Sequence, residues 1–208
     1  LVAIGSYIHG APSRCKVWGS GLISERGRFK KDIEVYAVRG PKTRESLLFQ
    51  NVPCPEIYGD PALLLPKFYT PEIYSFLNNK IAVIPHWSQA TKFSNLGEEF
   101  HLINPLWSWT QVINELCSCK AVLASSLHGL ICADAYGIPN ARLTEVPLGS
   151  GHGGDFKFLD YFGSQGRPYK EVKKIGGWDE IEEYLWTEGN KVDLDKLIKA
   201  FPWNEPSS

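Results

Sequence analysis

The chain has 208 residues, 43% of them hydrophobic and 22% charged, with a formal net charge of −1. That length allows one large domain or two small ones, and the balance of apolar and charged residues excludes a disordered chain. The near-zero charge gives no support for nucleic-acid or anionic-membrane binding, and no apolar run has transmembrane length or signal-peptide form.

In chain order, residues 15–18 form a short apolar run stopped by Gly19-Ser20-Gly21, a strand followed by a turn. Residues 33–38 read as a strand ending at Arg39-Gly40, and Pro41 opens a helix that reaches about Phe49. A short strand over 56–58 precedes Gly59-Asp60-Pro61, where Asp60 is placed to cap a helical stretch over 61–65. Residues 66–80 read as a linker to a second unit. A fully apolar strand over 81–84 is stopped by Pro85-His86-Trp87, and a short strand follows at 102–103. Residues 108–119 have helical spacing, with Trp109, Val112, Ile113 and Leu116 on one face. Residues 121–124 are a buried strand and turn into a helix that begins at about His128; Gly137 stops it and Pro139 forbids its continuation. A strand over 140–143, a Gly-rich loop over 148–155 and helices over 156–162, 179–186 and 193–200 complete the chain. Strands alternating with helices at this spacing imply an α/β protein with parallel sheets, covered on both faces and joined by right-handed crossovers.

The five cysteines lack zinc-like spacing and read as reduced, buried thiols of a cytoplasmic protein. The chain contains no Met and opens in mid-pattern with Leu1-Val2-Ala3-Ile4, so a piece of a longer protein is expected. No residue cluster demands a metal or cofactor.

Three polar clusters fall at carboxyl ends of predicted strands, where ligands bind in open α/β sheets. The first is Arg39-Gly40, with Arg44 one turn into the following helix. A guanidinium at Arg39 can grip a carboxylate or phosphate with two parallel bonds. Arg44 is either a second anion ligand or the partner of an acid such as Glu45. The second cluster is His86-Trp87. The third, Ser125-Ser126-Leu127-His128-Gly129, places hydroxyls, backbone N–H groups and an imidazole at a helix N-terminus, which attracts anions. His128 can bind an anionic group or transfer a proton. His9 and His101 have no such setting and read as structural or surface residues. Trp107, Trp109, Trp178, Trp186 and Trp203 read as core or docking residues, although indole faces also stack on sugars.

The segments Val17-Trp18-Gly19-Ser20-Gly21-Leu22, Ala37-Val38-Arg39-Gly40-Pro41-Lys42-Thr43-Arg44, Tyr58-Gly59-Asp60-Pro61-Ala62-Leu63, Ile84-Pro85-His86 and Ser125-Ser126-Leu127-His128-Gly129 through Gly137-Ile138-Pro139 together resemble the polysaccharide pyruvyl transferases. The resemblance covers roughly residues 15–165 and keeps the family's order. It implies a GT-B-like fold of two Rossmann-like lobes. Residues 1–66 would be the C-terminal part of a first, incomplete lobe, and 67–208 a second lobe with C-terminal helices. It also implies transfer of the enolpyruvyl group of phosphoenolpyruvate onto two hydroxyls of a sugar, forming a pyruvate ketal in exopolysaccharide or cell-surface glycan biosynthesis. In the family the arginine of the V-R-G-P segment and the histidine of the S-L-H-G segment contact phosphoenolpyruvate, which maps those contacts to Arg39 and His128.

The expected donor substrate is therefore phosphoenolpyruvate, with no further cofactor. The expected acceptor is a sugar or lipid-linked oligosaccharide, with peripheral membrane association through that acceptor. Arg39, His86 and His128 are the candidate catalytic residues, expected to line one cleft between the lobes. The candidate binding residues are Arg39, Gly40, Arg44, Trp87, Ser125, Ser126, Leu127, His128 and Gly129. Either His128 or His86 would supply the acid. Two other readings fit the residues: a GT-B-type glycosyltransferase using a nucleotide-sugar, and a non-catalytic sugar-binding lobe.

Overall fold

In the computed structural model, residues 1–25, 27–93, 95–144 and 154–203 are described. The chain divides into two units. The first comprises Leu1–Leu63 with the described parts of Gly149–Tyr169 and Lys191–Ser208; the second comprises the described parts of Leu64–Leu148 and Lys170–Asn190. The crossing after Leu63 falls just short of the linker expected at 66–80. The chain then returns to the first unit twice, which places the helices of 156–165 and 194–199 there, whereas the spacing assigns them to the second. The reason is a set of contacts that local pattern does not carry: Asp160 is bonded to Arg39, and Trp18 donates its indole N–H to the Leu197 carbonyl at 2.8 Å.

In the first unit, strands β1 (Lys16–Trp18) and β2 (Glu34–Ala37) pair in parallel, and single parallel bridges add Val2 beside Val17 and Tyr58 beside Val38. The strand expected over 56–58 is thus reduced to one bridge. Ile8, Val17, Leu22, Val38, Leu47 and Val52 are fully buried and belong to one core cluster. Helix α1 (Pro41–Phe49) begins with Pro at its first turn, where the missing N–H costs nothing.

The second unit is a five-stranded, wholly parallel sheet in the order β4-β3-β5-β6-β7. Its strands are β3 (Ile81–Ile84), β4 (Phe100–Leu102), β5 (Ala121–Ala124), β6 (Asn140–Leu143) and β7 (Glu171–Val172). Every residue of β3, β5 and β6 is buried, as a sheet covered on both faces requires; β3 and β5 are continuous apolar runs, whereas β6 also buries Asn140 and Arg142. One face carries Ile81, Val83, Leu123 and Leu143, packed with Phe93 and Ile181. On the other face lies helix α3 (Leu127–Ala135), which follows helix α2 (Trp109–Ser118) and β5. A Cβ on Gly129 of α3 would meet the Cβ of Ala124 at 2.9 Å and that of Ile84 at 3.3 Å, so only glycine lets the helix start this close to the strands. Helix α3 ends as expected: Gly137 has φ +69°, its N–H donates to Asp134, and Ile138 N–H donates to Ala133.

Some expectations need revision. Ile113 and Leu116 of α2 are buried, but Trp109, predicted on the same face, is 58% exposed at the first position of the helix. The helix expected over 179–186 is a short α5 (Trp178–Ile181) with a 3-10 turn, Glu182–Tyr184. The linker is not free-running: Asn114 of α2 accepts from Tyr69 Oη at 2.7 Å and Glu72 N at 3.1 Å, and Ser118 accepts from Tyr74 N at 2.8 Å. Helix α4 (Phe156–Gln165) runs one turn further than predicted, and α6 (Leu194–Lys199) is capped by Asp193, which accepts from Lys196 N. The Gly-rich loop of 148–155 lies, up to residue 153, outside the described residues.

Candidate functional site

The strand order of the second unit, renumbered within it, is 2-1-3-4-5, so the order in which strands are added reverses between β3 and β5, although the two run parallel. Ligands bind in the crevice outside the carboxyl ends of strands at such a switch point. The register pairs Ile84 with Ala124, so the His86-Trp87 and Ser125–Gly129 clusters leave the sheet side by side. Two of the three sequence clusters are thereby brought to one place.

Ser125 clasps this edge. Its N–H donates to the Ile84 carbonyl at 3.1 Å, while its Oγ accepts from His86 N at 2.8 Å and donates to Gln89 Oε1 at 3.1 Å. The residue is 3% exposed, so its hydroxyl fixes the two loops rather than facing a ligand. His86 is half-buried, with Nδ1 at 2.8 Å from Ser88 Oγ and its ring 5.5 Å from that of Trp87. Trp87 is 59% exposed and stands open beside it. Ser126 is the N-cap of α3 and makes no side-chain capping bond; the first backbone N–H groups of a helix have no intrahelical acceptor. Leu127 is buried, so it can contribute only its backbone N–H. His128, half-buried, is the second residue of α3, where the helix dipole favours negative charge. A helix N-terminus that carries one imidazole, with a second on the adjoining loop, can hold an anion and deliver a proton.

The first unit holds the Arg39 cluster, and there the guanidinium is fully buried. Arg39 Nε donates to Asp160 Oδ2 at 3.0 Å, Nη1 to Ser6 Oγ at 2.7 Å and Nη2 to the Leu22 carbonyl at 2.7 Å. Asp160, itself 0% exposed, also accepts from Thr43 N at 2.8 Å and Thr43 Oγ1 at 2.7 Å. Gly40 has no room for a Cβ against the Asp160 backbone, and a Cβ on Gly163 would meet Pro41 at 2.9 Å. The Arg39-Gly40-Pro41-Lys42-Thr43 segment is thus the socket for α4, and Asp160 is the residue that sequence reasoning misses. The available signal is a carboxylate set among Phe158, Leu159, Tyr161 and Phe162 of the helix. Arg44 donates from Nε to the Cys54 carbonyl at 3.2 Å, and among the described residues no ion pair joins it to Glu45.

His101 contacts Glu115 at 2.7 Å. Among the described residues, no three His, Cys, Asp or Glu side chains are grouped to hold a metal ion. Burial pushes the thiols of Cys54, Cys117 and Cys119 from 9.0 up to about 12. At pH 8 this cuts their thiolate fraction by about 1,000-fold. Iodoacetamide should therefore label these three cysteines at least about 100-fold more slowly in native than in urea-unfolded protein, as peptide mass spectrometry would read. Equal rates would show the thiols to be open to solvent.

The parallel sheet and its helices define a Rossmann-like α/β unit with polar residues at its switch point. The sequence pattern of the polysaccharide pyruvyl transferase family matches residues 26–144, more than half of the chain, and the chain belongs to that family. A curated relative, "Uncharacterized protein L143" of Acanthamoeba polyphaga mimivirus, is 27% identical over 180 residues, 82% of this chain and 62% of the relative. The chain thus spans less than two thirds of that relative's length. No solved structure matches. Among the described residues no helix is long and apolar enough to cross a membrane.

Proposed function

We propose that the protein takes part in transfer of the enolpyruvyl group of phosphoenolpyruvate to two hydroxyls of a sugar, forming a pyruvate ketal during cytoplasmic assembly of a surface glycan. The observation that carries this reading is the switch-point edge, where the α3 N-terminus lies beside the His86 loop and within a family-matched segment. Phosphoenolpyruvate is an anion with an electron-rich C3. Protonation at C3 turns that carbon into a methyl group and makes C2 an electrophile. One sugar hydroxyl adds to C2 and loses its proton; a second then displaces phosphate, which leaves with its oxygen. The amides of Leu127, His128 and Gly129 suit the phosphate, and His128 or His86 suits the proton transfer to C3. For Arg39 the proposed role is the scaffold its buried bonds support, because contact with phosphoenolpyruvate would require the Asp160 pair to open. The acceptor is proposed as a free or lipid-linked sugar, the latter bringing the protein to a membrane surface.

The test supplies phosphoenolpyruvate and a panel of nitrophenyl glycosides and measures inorganic phosphate and ketal product. Sugar-dependent phosphate release with a product carrying one pyruvate is expected. Binding of a nucleotide-sugar with no effect of phosphoenolpyruvate would favour a glycosyltransferase and overturn the reading.

A further inference from the structure

Strand β4 is the parallel neighbour of β3, and Ile103 N–H still donates to the Val83 carbonyl at 3.0 Å. The loop after it therefore leaves the same sheet edge as His86 and Trp87. That loop and the first residues of α2, Asn104-Pro105-Leu106-Trp107-Ser108-Trp109-Thr110-Gln111, contain no charged residue. It presents Leu106 at 71%, Trp107 at 39% and Trp109 at 58% exposure, and Trp87 stands at 59% on the adjoining loop. Exposed indoles gathered at one edge need an explanation, since large apolar side chains are ordinarily withdrawn from water.

The loop is also held in place. Asn104 accepts from Leu106 N through its side chain at 3.0 Å and from Trp107 N through its carbonyl at 3.1 Å. Ser108 caps α2 by accepting from Gln111 N. Tyr69 packs edge-on against Trp109, with ring centres 4.8 Å apart, and its hydroxyl is fixed by Asn114 of the same helix. Elsewhere, indole N–H groups are used internally: Trp18 donates to Leu197 and Trp186 to Gly189. Those of Trp107 and Trp109 face no protein acceptor among the described residues. Rigid aromatic faces, indole donors and neighbouring hydroxyl and amide groups suit a ligand with apolar C–H faces and hydroxyl edges. The absence of charge argues against a phosphate headgroup, since surface-bound segments pair their aromatics with Lys or Arg.

We propose that Trp107 and Trp109 form the platform on which the neutral sugar acceptor stacks, beside the switch-point site. This inference rests on the function proposed above and adds the residues that would bind the acceptor. The test uses the full chain, wild type and Trp107→Ala/Trp109→Ala, with a Trp109→Phe variant as a folding-safe control and far-UV circular dichroism to verify folding. Methyl glycosides of glucose, galactose and mannose are titrated by saturation-transfer NMR without donor, and phosphoenolpyruvate is titrated separately by calorimetry. Binding of at least one glycoside by wild type is expected, weakened about tenfold or more in the double variant and less in Trp109→Phe. Phosphoenolpyruvate affinity should be unchanged in both. Glycoside binding that survives in the folded double variant overturns the platform, as does wild type that binds no glycoside of the panel while still binding phosphoenolpyruvate. Wild type that binds glycosides through the tryptophans but never phosphoenolpyruvate keeps the platform and overturns the pyruvyl-transfer reading instead. Loss in the double variant of binding to phosphatidylglycerol–phosphatidylcholine vesicles, with glycoside binding unaltered, reassigns the surface to lipid and likewise overturns the proposal.

Discussion

Asp160→Asn should lower stability by about 3–5 kcal/mol, the cost of leaving one partner of a buried ion pair uncompensated. Arg39 and Asp160 are both 0% exposed and 3.0 Å apart, so the orphaned guanidinium would have no route to water. Asp160 also receives the N–H and hydroxyl of Thr43, which the neutral amide can accept only in part. Urea denaturation followed by circular dichroism reads the effect. Replacing both partners, as Arg39→Met with Asp160→Leu, should cost less than Asp160→Asn alone, because no charge is then stranded. Arg39→Lys keeps the charge but loses the planar fork that reaches Ser6 and Leu22 as well as Asp160, so an intermediate loss is expected. A loss under about 1 kcal/mol in Asp160→Asn would mean the socket contributes little and would return Arg39 to the candidates for ligand binding. Wild-type phosphoenolpyruvate affinity in a folded Arg39→Lys variant would confine Arg39 to the scaffold.

This pair also marks where sequence reasoning stops. The position of Arg39, after a strand and before Pro41, is visible in the chain, and so is its chemical strength. A guanidinium fork matches a protein carboxylate as well as a ligand's, however, and Asp160 lies 121 residues away. Only the fold brings the two together. Strands β3 and β5 are legible because four-residue apolar runs buried on both faces have few alternatives, and α3 because Gly137 and Pro139 punctuate its end. Strand β7 has two residues and carries no pattern. The convergence of His86 with Ser125 follows from a general rule for open sheets, once the strands are recognised. Trp109 is misread because helical spacing identifies a face but not which of its residues the core covers.

His128→Ala should reduce phosphate release from phosphoenolpyruvate by at least about 100-fold in a protein that remains folded. The side chain sits in the first turn of α3, half-exposed, and alanine is the better helix former, so the helix has no cause to unravel. The loss should fall on turnover if the imidazole delivers the C3 proton, and on donor affinity if it only binds the anion; kcat and KM for phosphoenolpyruvate separate these. His86→Ala is the matched comparison. Its backbone N–H would still bind Ser125, whereas the Nδ1 contact with Ser88 would be lost, so the loop should persist with its imidazole removed. If His86→Ala eliminates turnover while His128→Ala lowers only affinity, the acid is His86 and His128 is an anion ligand. Near-normal turnover in a folded His128→Ala protein would remove His128 from the mechanism, and near-normal turnover in both variants would move the chemistry away from this sheet edge.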